Sequence, residues 1–458
     1  MSIAPSPVDL GAFRRAVGGP VLVPGDPGYD QARTPFYGGY DRHPAAVVRP
    51  ADAAEVARVV TFARDTGAEL AVRSGGHSNA GHSTTEGGIV LDLCAMKALE
   101  IDAPSRTAWA QTGLTAGEYT TATNQHGLGT GFGDSGSVGL GGITVGGGVG
   151  FLARKYGLTI DSLLAAEVVT ADGQVRQVDE DSEPDLFWAI RGGGGNFGVV
   201  TRLRFRLQPV GMVMGGMLLL PATPEVVAGI VAESEAAPEE LSVIANLMPA
   251  PPMPFVSEEW HGRLIVLAML VWAGDLAEGA RAVDRLRALA PPIADLVREM
   301  PYPQIYLPEE EGYRPTAIGR TLFLDSVDDA TARMIVDRLE SSDAAMRVTQ
   351  LRVLGGAVAR VPAAATAYAH RDRRIMANVA AFYTGPEDKA IRQAWVEEFA
   401  ADLRQGDDAA YVNFLMDEGP ERVRAAYPGA TWQRLTEVKR RYDPDNLFRL
   451  NQNVPPAA

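Results

Sequence analysis

Arg73-Ser74-Gly75-Gly76-His77-Ser78 follows the apolar run Leu70-Ala71-Val72, and its reading organises the rest of the chain. Glycine lets backbone N–H groups converge on an anion, because no Cβ stands in the way. His77, expected to be exposed on this turn, offers a nucleophilic ring nitrogen where a large anionic cofactor can approach the backbone. Two more glycine clusters follow, Gly133-Asp134-Ser135-Gly136-Ser137-Val138-Gly139-Leu140-Gly141-Gly142 and residues 192–198. One such cluster is often just a tight turn. Three in the first 200 residues point to a single binding site.

Working outward, residues 47–50 read as a strand. Residues 51–66 carry Ala, Val and Phe at helical spacing with Gly67 as a stop, and residues 70–73 and 88–93 read as strands. This β-α-β start delivers the His77 turn at the end of its second strand. Residues 115–126 read as a helix, and residues 134–142 as an extended loop suited to a phosphate or flavin edge. Residues 166–170 and 175–178 form a hairpin. Residues 185–190 form a short helix that runs into the third glycine cluster, and residues 199–207 alternate as a half-buried strand does. After Pro209 the glycine clusters stop, and helices such as 276–289 alternate with strands such as 264–272. Turn-rich texture returns at Tyr411-Val412-Asn413. The expected division is therefore 1–207, 208–410 and 411–458.

Composition limits the function classes. At 458 residues, with 46% hydrophobic and 22% charged, the chain has the make-up of a globular protein of two or three domains. Its 42 basic and 57 acidic residues give a net charge of -15, which argues against nucleic acid or an anionic membrane as partner. Lysine occurs only at Lys97, Lys155, Lys389 and Lys439; this bias, with abundant alanine, is expected of a high-GC bacterial coding sequence. No apolar segment follows the first charges as in a signal peptide, and the longest apolar run, 212–220, is too short to span a bilayer, so a cytoplasmic location is expected. Cys94, the one cysteine, excludes intrachain disulfides and cysteine-based metal sites, and is read as an inert buried thiol in an apolar strand.

Several motifs are missing. The glycine clusters do not fit Gly-x-Gly-x-x-Gly between a strand and a helix, so a nicotinamide-type dinucleotide fold is not expected. No Gly-x-Ser-x-Gly elbow occurs. His77 and His82 lack the spacing and third ligand of a metal site, so none is assigned. His43, His126 and His261 are read as surface or packing residues.

The chain resembles the berberine-bridge-enzyme-like oxidases of the vanillyl-alcohol-oxidase flavoprotein superfamily, especially the bacterial hydroxynicotine oxidases. The resemblance rests on residues 73–78, on Gly139-Leu140-Gly141-Gly142-Ile143-Thr144-Val145-Gly146-Gly147-Gly148, on residues 185–198, and on Tyr442-Asp443-Pro444-Asp445-Asn446-Leu447-Phe448-Arg449 followed by Asn451-Gln452-Asn453. It implies an α+β fold: a PCMH-type, two-subdomain FAD-binding domain from both chain ends, and a substrate domain with an antiparallel sheet backed by helices. It implies FAD as cofactor, bonded at its 8α-methyl carbon to His77. Many members add a second bond from a cysteine where this chain has Ser135, so the link here is expected through His77 only. The cofactor-binding set implied is Arg73, Ser74, Gly75, Gly76, His77, Ser78, His82, Ser135, Ser137, Val138, Gly141, Gly142, Thr144, Gly148, Val149, Gly198, Val200, Asn413 and Asn451. The implied reaction is oxidation of an alcohol or amine C–H in a small-molecule organic substrate, a secondary metabolite being one candidate. Hydride passes to flavin N5 and molecular oxygen is reduced to hydrogen peroxide. Val138 falls where the family borders the oxygen approach. Tyr411 matches a tyrosine that lies over the flavin and can serve as base, which requires a depressed pKa. His370 and Asn378 match positions near the substrate, although the strand of Asn378 lacks the glutamine or glutamate of some relatives. A same-fold dehydrogenase with another acceptor and a non-catalytic flavin-binding protein are the alternatives.

Overall fold

The computed structural model describes residues 8–308 and 312–458; the first seven residues of the segment read for a signal peptide lie outside them. Three main sheets organise the chain. In a four-stranded sheet, Ala46–Val48 and Leu70–Arg73 both run parallel to Ile89–Asp92, which lies between them. Helix Ala53–Thr66 packs Val56, Val59, Val60 and Ala63 into this core. Asp52 caps its start by accepting from Glu55 N–H, and Gly67 ends it at φ 68°. The β-α-β start is thus present, and the His77 turn leaves the end of Leu70–Arg73.

A five-stranded antiparallel sheet follows, in the order Leu99–Asp102, Thr107–Gln111, Val199–Arg206, Leu163–Val169, Val175–Val178. Helix Ala116–Asn124 opens on a Thr115/Glu118 capping box. One local expectation fails: Leu140–Val145 is a short helix, so Leu140, Gly141 and Gly142 are helical rather than part of an extended loop. Two glycines in six residues weaken helix propensity, but tertiary packing overrides it. A Cβ on Gly141 would sit 3.2 Å from both Ser74 and Thr112, so only a bare backbone fits closely there.

The largest sheet is antiparallel and eight-stranded, with Met212–Pro221, Leu264–Trp272, Leu241–Pro249, Arg347–Val353, Ile375–Phe382 and Ala317–Leu324 as its long strands. Side chains alternate across it. One face sends Leu218, Val243, Leu270, Leu351 and Val379 into a core with the helices Pro224–Ala236, Asp329–Ser341 and Gly385–Leu403. The other face sends Phe323 and Met376 against Val149, Tyr368 and Tyr411, and Ile244 against Phe151. That second face therefore lies over the glycine-rich segment. This is the α+β architecture expected, antiparallel sheet and backing helices included.

The C-terminal stretch holds two helices, Pro420–Ala426 and Ala430–Tyr442, that the sequence pattern did not reveal. Val423, Tyr427, Leu435 and Val438 share a core with Leu186, Phe187 and Leu203, so the end of the chain packs back on its first half. A buried cation fastens it. Lys439 Nζ donates to the Asn196 carbonyl (2.8 Å), the Phe448 carbonyl (3.0 Å) and Asp443 Oδ2 (2.7 Å). Asp443 in turn accepts from Leu447 and Phe448 N–H, at 2.8 and 2.9 Å. The Asp443-Pro444-Asp445-Asn446-Leu447-Phe448 motif is thus a folded corner that aims Asn451 and Gln452 back at the glycine clusters.

Cys94 corrects a reading. It lies in a 3-10 turn after the strand and is only partly buried, with Sγ 3.3 Å from Asp92 Oδ2. Burial and the neighbouring Asp92 carboxylate raise its thiol pKa, which keeps it protonated and unreactive.

Candidate active site

A cleft of about 330 Å³ opens where the glycine clusters meet the C-terminal stretch. Arg73, Ser74, Gly75, Gly76, His77, Ser78 and His82 line it from the first cluster, and Ser135, Val138, Gly141, Gly142 and Val149 from the second. Gly198 and Val200 line it from the third, and Tyr411, Asn413 and Asn451 from the C-terminal stretch. The first two clusters need glycine because they pack backbone on backbone. A Cβ on Gly75 would lie 2.2 Å from Gly139 N, and one on Gly139 as close to Gly75 N.

His77 is half-buried, not exposed as expected. Phe36 stacks on its ring with centroids 4.0 Å apart and an interplanar angle of 17°. Phe36 N–H donates to the Gly76 carbonyl at 3.1 Å, which ties the stacking residue to the turn it covers. On the other side His77 Nε2 lies 2.8 Å from Ser137 Oγ, itself 3.1 Å from Ser135 Oγ. Ser137 thus reaches the site through His77 rather than through the cleft wall. His82 is pushed down to about 4 by burial, so it is neutral at pH 7.

Arg73 contributes its backbone to the cleft, while its guanidinium is spent elsewhere. Its Nη2 bonds Asp92 Oδ2 at 3.0 Å and also the Ala32 carbonyl. Burial opposes the Asp92 charge, but Arg73 and Arg49 outweigh it and hold the carboxyl below its usual range.

Tyr411 is fully buried at the end of the cleft. Its Oη accepts from Gly148 N–H at 2.8 Å and from Asn413 Nδ2 at 3.0 Å. Gly148 acts here through its N–H, and Asn413 doubles as a link to the Ile143 carbonyl (3.1 Å). The depressed pKa expected for Tyr411 is not what the structure gives. Burial raises it above the ordinary tyrosine value, while the two donors and the nearby Arg352 charge pull the other way without prevailing.

Besides Ser137 and Gly148, three expected residues lie off the cleft wall. Thr144 is fully buried within its helix. His370 sits behind Tyr368, its Nε2 3.1 Å from the Ala426 carbonyl, and burial lowers it to about 4. Tyr368 packs on both His370 and Tyr411, with centroids 6.2 and 5.9 Å apart, and His370 does not line the cleft. Asn378 lies on the large sheet, paired across from Gln350 and Thr321 on the face turned toward the glycine-rich segment.

That face carries residues the sequence reading missed. Arg352 is buried and its Nη2 bonds Asp134 Oδ2 at 2.6 Å and Gln350 Oε1 at 2.7 Å. Gln350 Nε2 continues to Asn246 Oδ1 at 2.8 Å. The Arg352 guanidinium also lies 4.9 Å over the Phe414 ring, and Phe414 lines the cleft. Nothing in the local pattern around these residues signals a site, because alternation in a strand shows only which residues share a face.

The cleft suits FAD. Its glycine backbones allow close approach of a pyrophosphate, and two buried polar atoms on its wall, Ser83 Oγ and Asn451 Oδ1, have no protein partner. Among the described residues no cluster of His, Cys, Asp and Glu could hold a metal ion, and no helix is long and apolar enough to cross a membrane.

Residues 44–179 match the FAD binding domain family, and residues 410–455 the family described as berberine and berberine like. The chain is 31% identical to (R)-6-hydroxynicotine oxidase of Paenarthrobacter nicotinovorans, over 96% of this chain and 97% of that protein. It is 28% identical to xylooligosaccharide oxidase of Thermothelomyces thermophilus, over 93% and 90% respectively. Its fold superposes on the crystal structure of 6-hydroxy-D-nicotine oxidase from Arthrobacter nicotinovorans with a TM-score of 0.84 and 27% identity, covering 96% of this chain and 98% of that one. The chain belongs to the berberine-bridge-enzyme-like family of FAD-linked oxidoreductases, and it is an enzyme.

Proposed function

We propose that this enzyme carries FAD bonded through His77 alone and oxidises a small or medium organic alcohol or amine, with oxygen as acceptor and hydrogen peroxide as product. The observation that carries the reading is the His77 setting: a ring stacked under Phe36, with Nε2 on Ser137 Oγ, at the wall of the cleft. Ser135 stands close by with a hydroxyl in place of a second thiol tether. Residues 1–207 and 411–458 are assigned to the cofactor, and residues 208–410 to the substrate.

When bound, FAD supplies an acceptor for the hydride leaving a C–H next to oxygen or nitrogen. The chain does the rest. Phe36 and Ser137 hold the His77 ring in one orientation. Val138 borders the cleft with a short side chain, which leaves room for oxygen. The large sheet packs Phe323 and Met376 against Val149 and Tyr411 and so backs the Tyr411 end of the site. Tyr411 handles the proton at Oη, where two N–H donors already occupy the lone-pair side. Those donors stabilise a phenolate against the burial that favours the phenol, so Tyr411 takes the substrate O–H or N–H proton once its own proton has passed to solvent. Tyr411→Phe is expected to lower turnover by about 10²–10⁴-fold, the usual share of general acid–base catalysis.

Acid precipitation tests the tether. Flavin that stays with the pellet, and is lost from it in His77→Ala, supports the reading; flavin released from the wild type sinks it. Anaerobic reduction by a substrate followed by admission of air tests the acceptor. Reoxidation within seconds with peroxide formed is expected, and a half-life of minutes points to a dehydrogenase instead.

A further inference from the structure

Arg352 and Asp134 come from opposite parts of the chain, 218 residues apart, and meet at the rim of the cleft. The Arg352 side chain is 4% exposed and that of Asp134 28%, so the cation is buried while its partner reaches solvent. Besides Asp134, its guanidinium donates from Nη1 to the Val149 carbonyl at 3.3 Å, one residue beyond the Gly148 N–H that holds Tyr411 Oη. It also covers the Phe414 ring, which packs edge-on against Tyr411 with centroids 5.2 Å apart. A fixed positive charge thus lies one ring away from a buried phenol, and it is itself paired with a carboxylate.

We propose that Arg352 is a positioning residue for Tyr411, its charge favouring the phenolate across Phe414, and that Asp134 restrains that influence. The inference rests on the reading of Tyr411 as the proton-handling group. The other ionisable groups around Tyr411 cannot do this work. Tyr368 packs on it at 5.9 Å, and both Tyr368 and Tyr427 are driven upward by burial, so they stay neutral. His370 behind Tyr368 is neutral too. Arg371 and Asp161 form a bidentate pair, at 2.7 and 2.8 Å, that largely cancels itself beyond Tyr368. The segments from Leu158, Phe323, Leu354 and Met376 that close the pocket are apolar. Among the described residues packed around Tyr411, Arg352 and Asp134 are the charge pair left, and their two signs give opposite effects.

The test is a pH titration of the FAD-loaded protein labelled with 13C at the tyrosine ζ carbon. The Tyr411 resonance is identified by its loss in Tyr411→Phe. Asp134→Asn leaves Arg352 uncompensated and is expected to move the Tyr411 midpoint down by about one pH unit, the low end for a charge near a titrating group. Arg352→Gln leaves Asp134 alone and moves it up by a similar amount or out of range. The double variant returns near the wild type. Arg352→Lys keeps the charge and is expected to leave the midpoint in place, which separates electrostatics from a loosened rim. Shifts of the same sign in both single variants, or midpoints unmoved within about 0.3 unit, overturn the proposal. If wild-type Tyr411 does not ionise in the accessible range, Asp134→Asn must bring it there or the proposal fails. Full turnover in Tyr411→Phe would instead sink the proton-handling reading and leave the tuning to be judged by the titration alone.

Discussion

Lys439→Met removes the cation that fastens the C-terminal stretch, and its cost can be worked from the contacts it breaks. Lys439 and Asp443 are both fully buried. The substitution leaves the Asp443 carboxylate in the core with only the Leu447 and Phe448 N–H donors, and strips the Asn196 and Phe448 carbonyls of one donor each. Breaking a buried pair from one side typically costs about 3–5 kcal/mol, because an uncompensated charge stays behind. At about 2.1 cal/mol/K per residue, cooperative unfolding of all 458 residues carries an entropy of about 1 kcal/mol/K, so Tm is expected to fall by about 3–5 °C. If only about half the chain unfolds as a unit, the fall roughly doubles. Differential scanning calorimetry reads the shift, and flavin fluorescence in the same ramp reports the cofactor. Asn451 and Gln452, which follow the fastened corner and line the cleft, make earlier cofactor loss part of the expectation. Adding Asp443→Asn removes the stranded charge, so the double variant should lose less than the sum of the single losses. A single variant within 1 °C of wild type, or fully additive losses, would refute the account of this corner as a charge-paired fastening.

Three other perturbations probe the cleft. Gly75→Ala drives a methyl group into the Gly139 backbone, and is expected to release FAD or block its uptake; flavin content after purification checks this, and normal loading would sink the backbone-on-backbone account. Phe36→Ala removes the ring stacked on His77, a contact worth about 0.5–1.5 kcal/mol beyond its buried area, so acid-stable flavin should form more slowly, while Phe36→Tyr should be near normal. His82 and His370 are both held near 4 against an ordinary 6.5, so between those values the unfolded chain binds protons that the folded chain does not. Stability should therefore fall as pH drops through that window, and His370→Gln should flatten the fall in urea midpoints between pH 7 and 4.5.

How much of this was legible in the sequence depended on how far apart the interacting residues lie. Helix Ala53–Thr66, strand Leu70–Arg73 and the hairpin after Leu163–Val169 are specified by apolar spacing and by glycine stops within a few residues, so they could be read directly. The glycine clusters marked the cleft for the same reason, since a missing Cβ is a local property. The resemblance carried by those clusters gave the family and, with it, the α+β plan. Where a local rule failed, as at Leu140–Val145, packing against Ser74 and Thr112 overrode a weak propensity. Tertiary structure alone decided the rest. It stacked Phe36 on His77, placed His370 behind Tyr368 and kept Tyr411 neutral. It also joined Arg352 to Asp134 and Lys439 to Asn196. Each of these depends on which strands and loops meet in space and on how far water is excluded where they meet. A charge or an imidazole reads the same along the chain whether it ends in solvent or in a core; only burial and the partner across the fold set its chemistry.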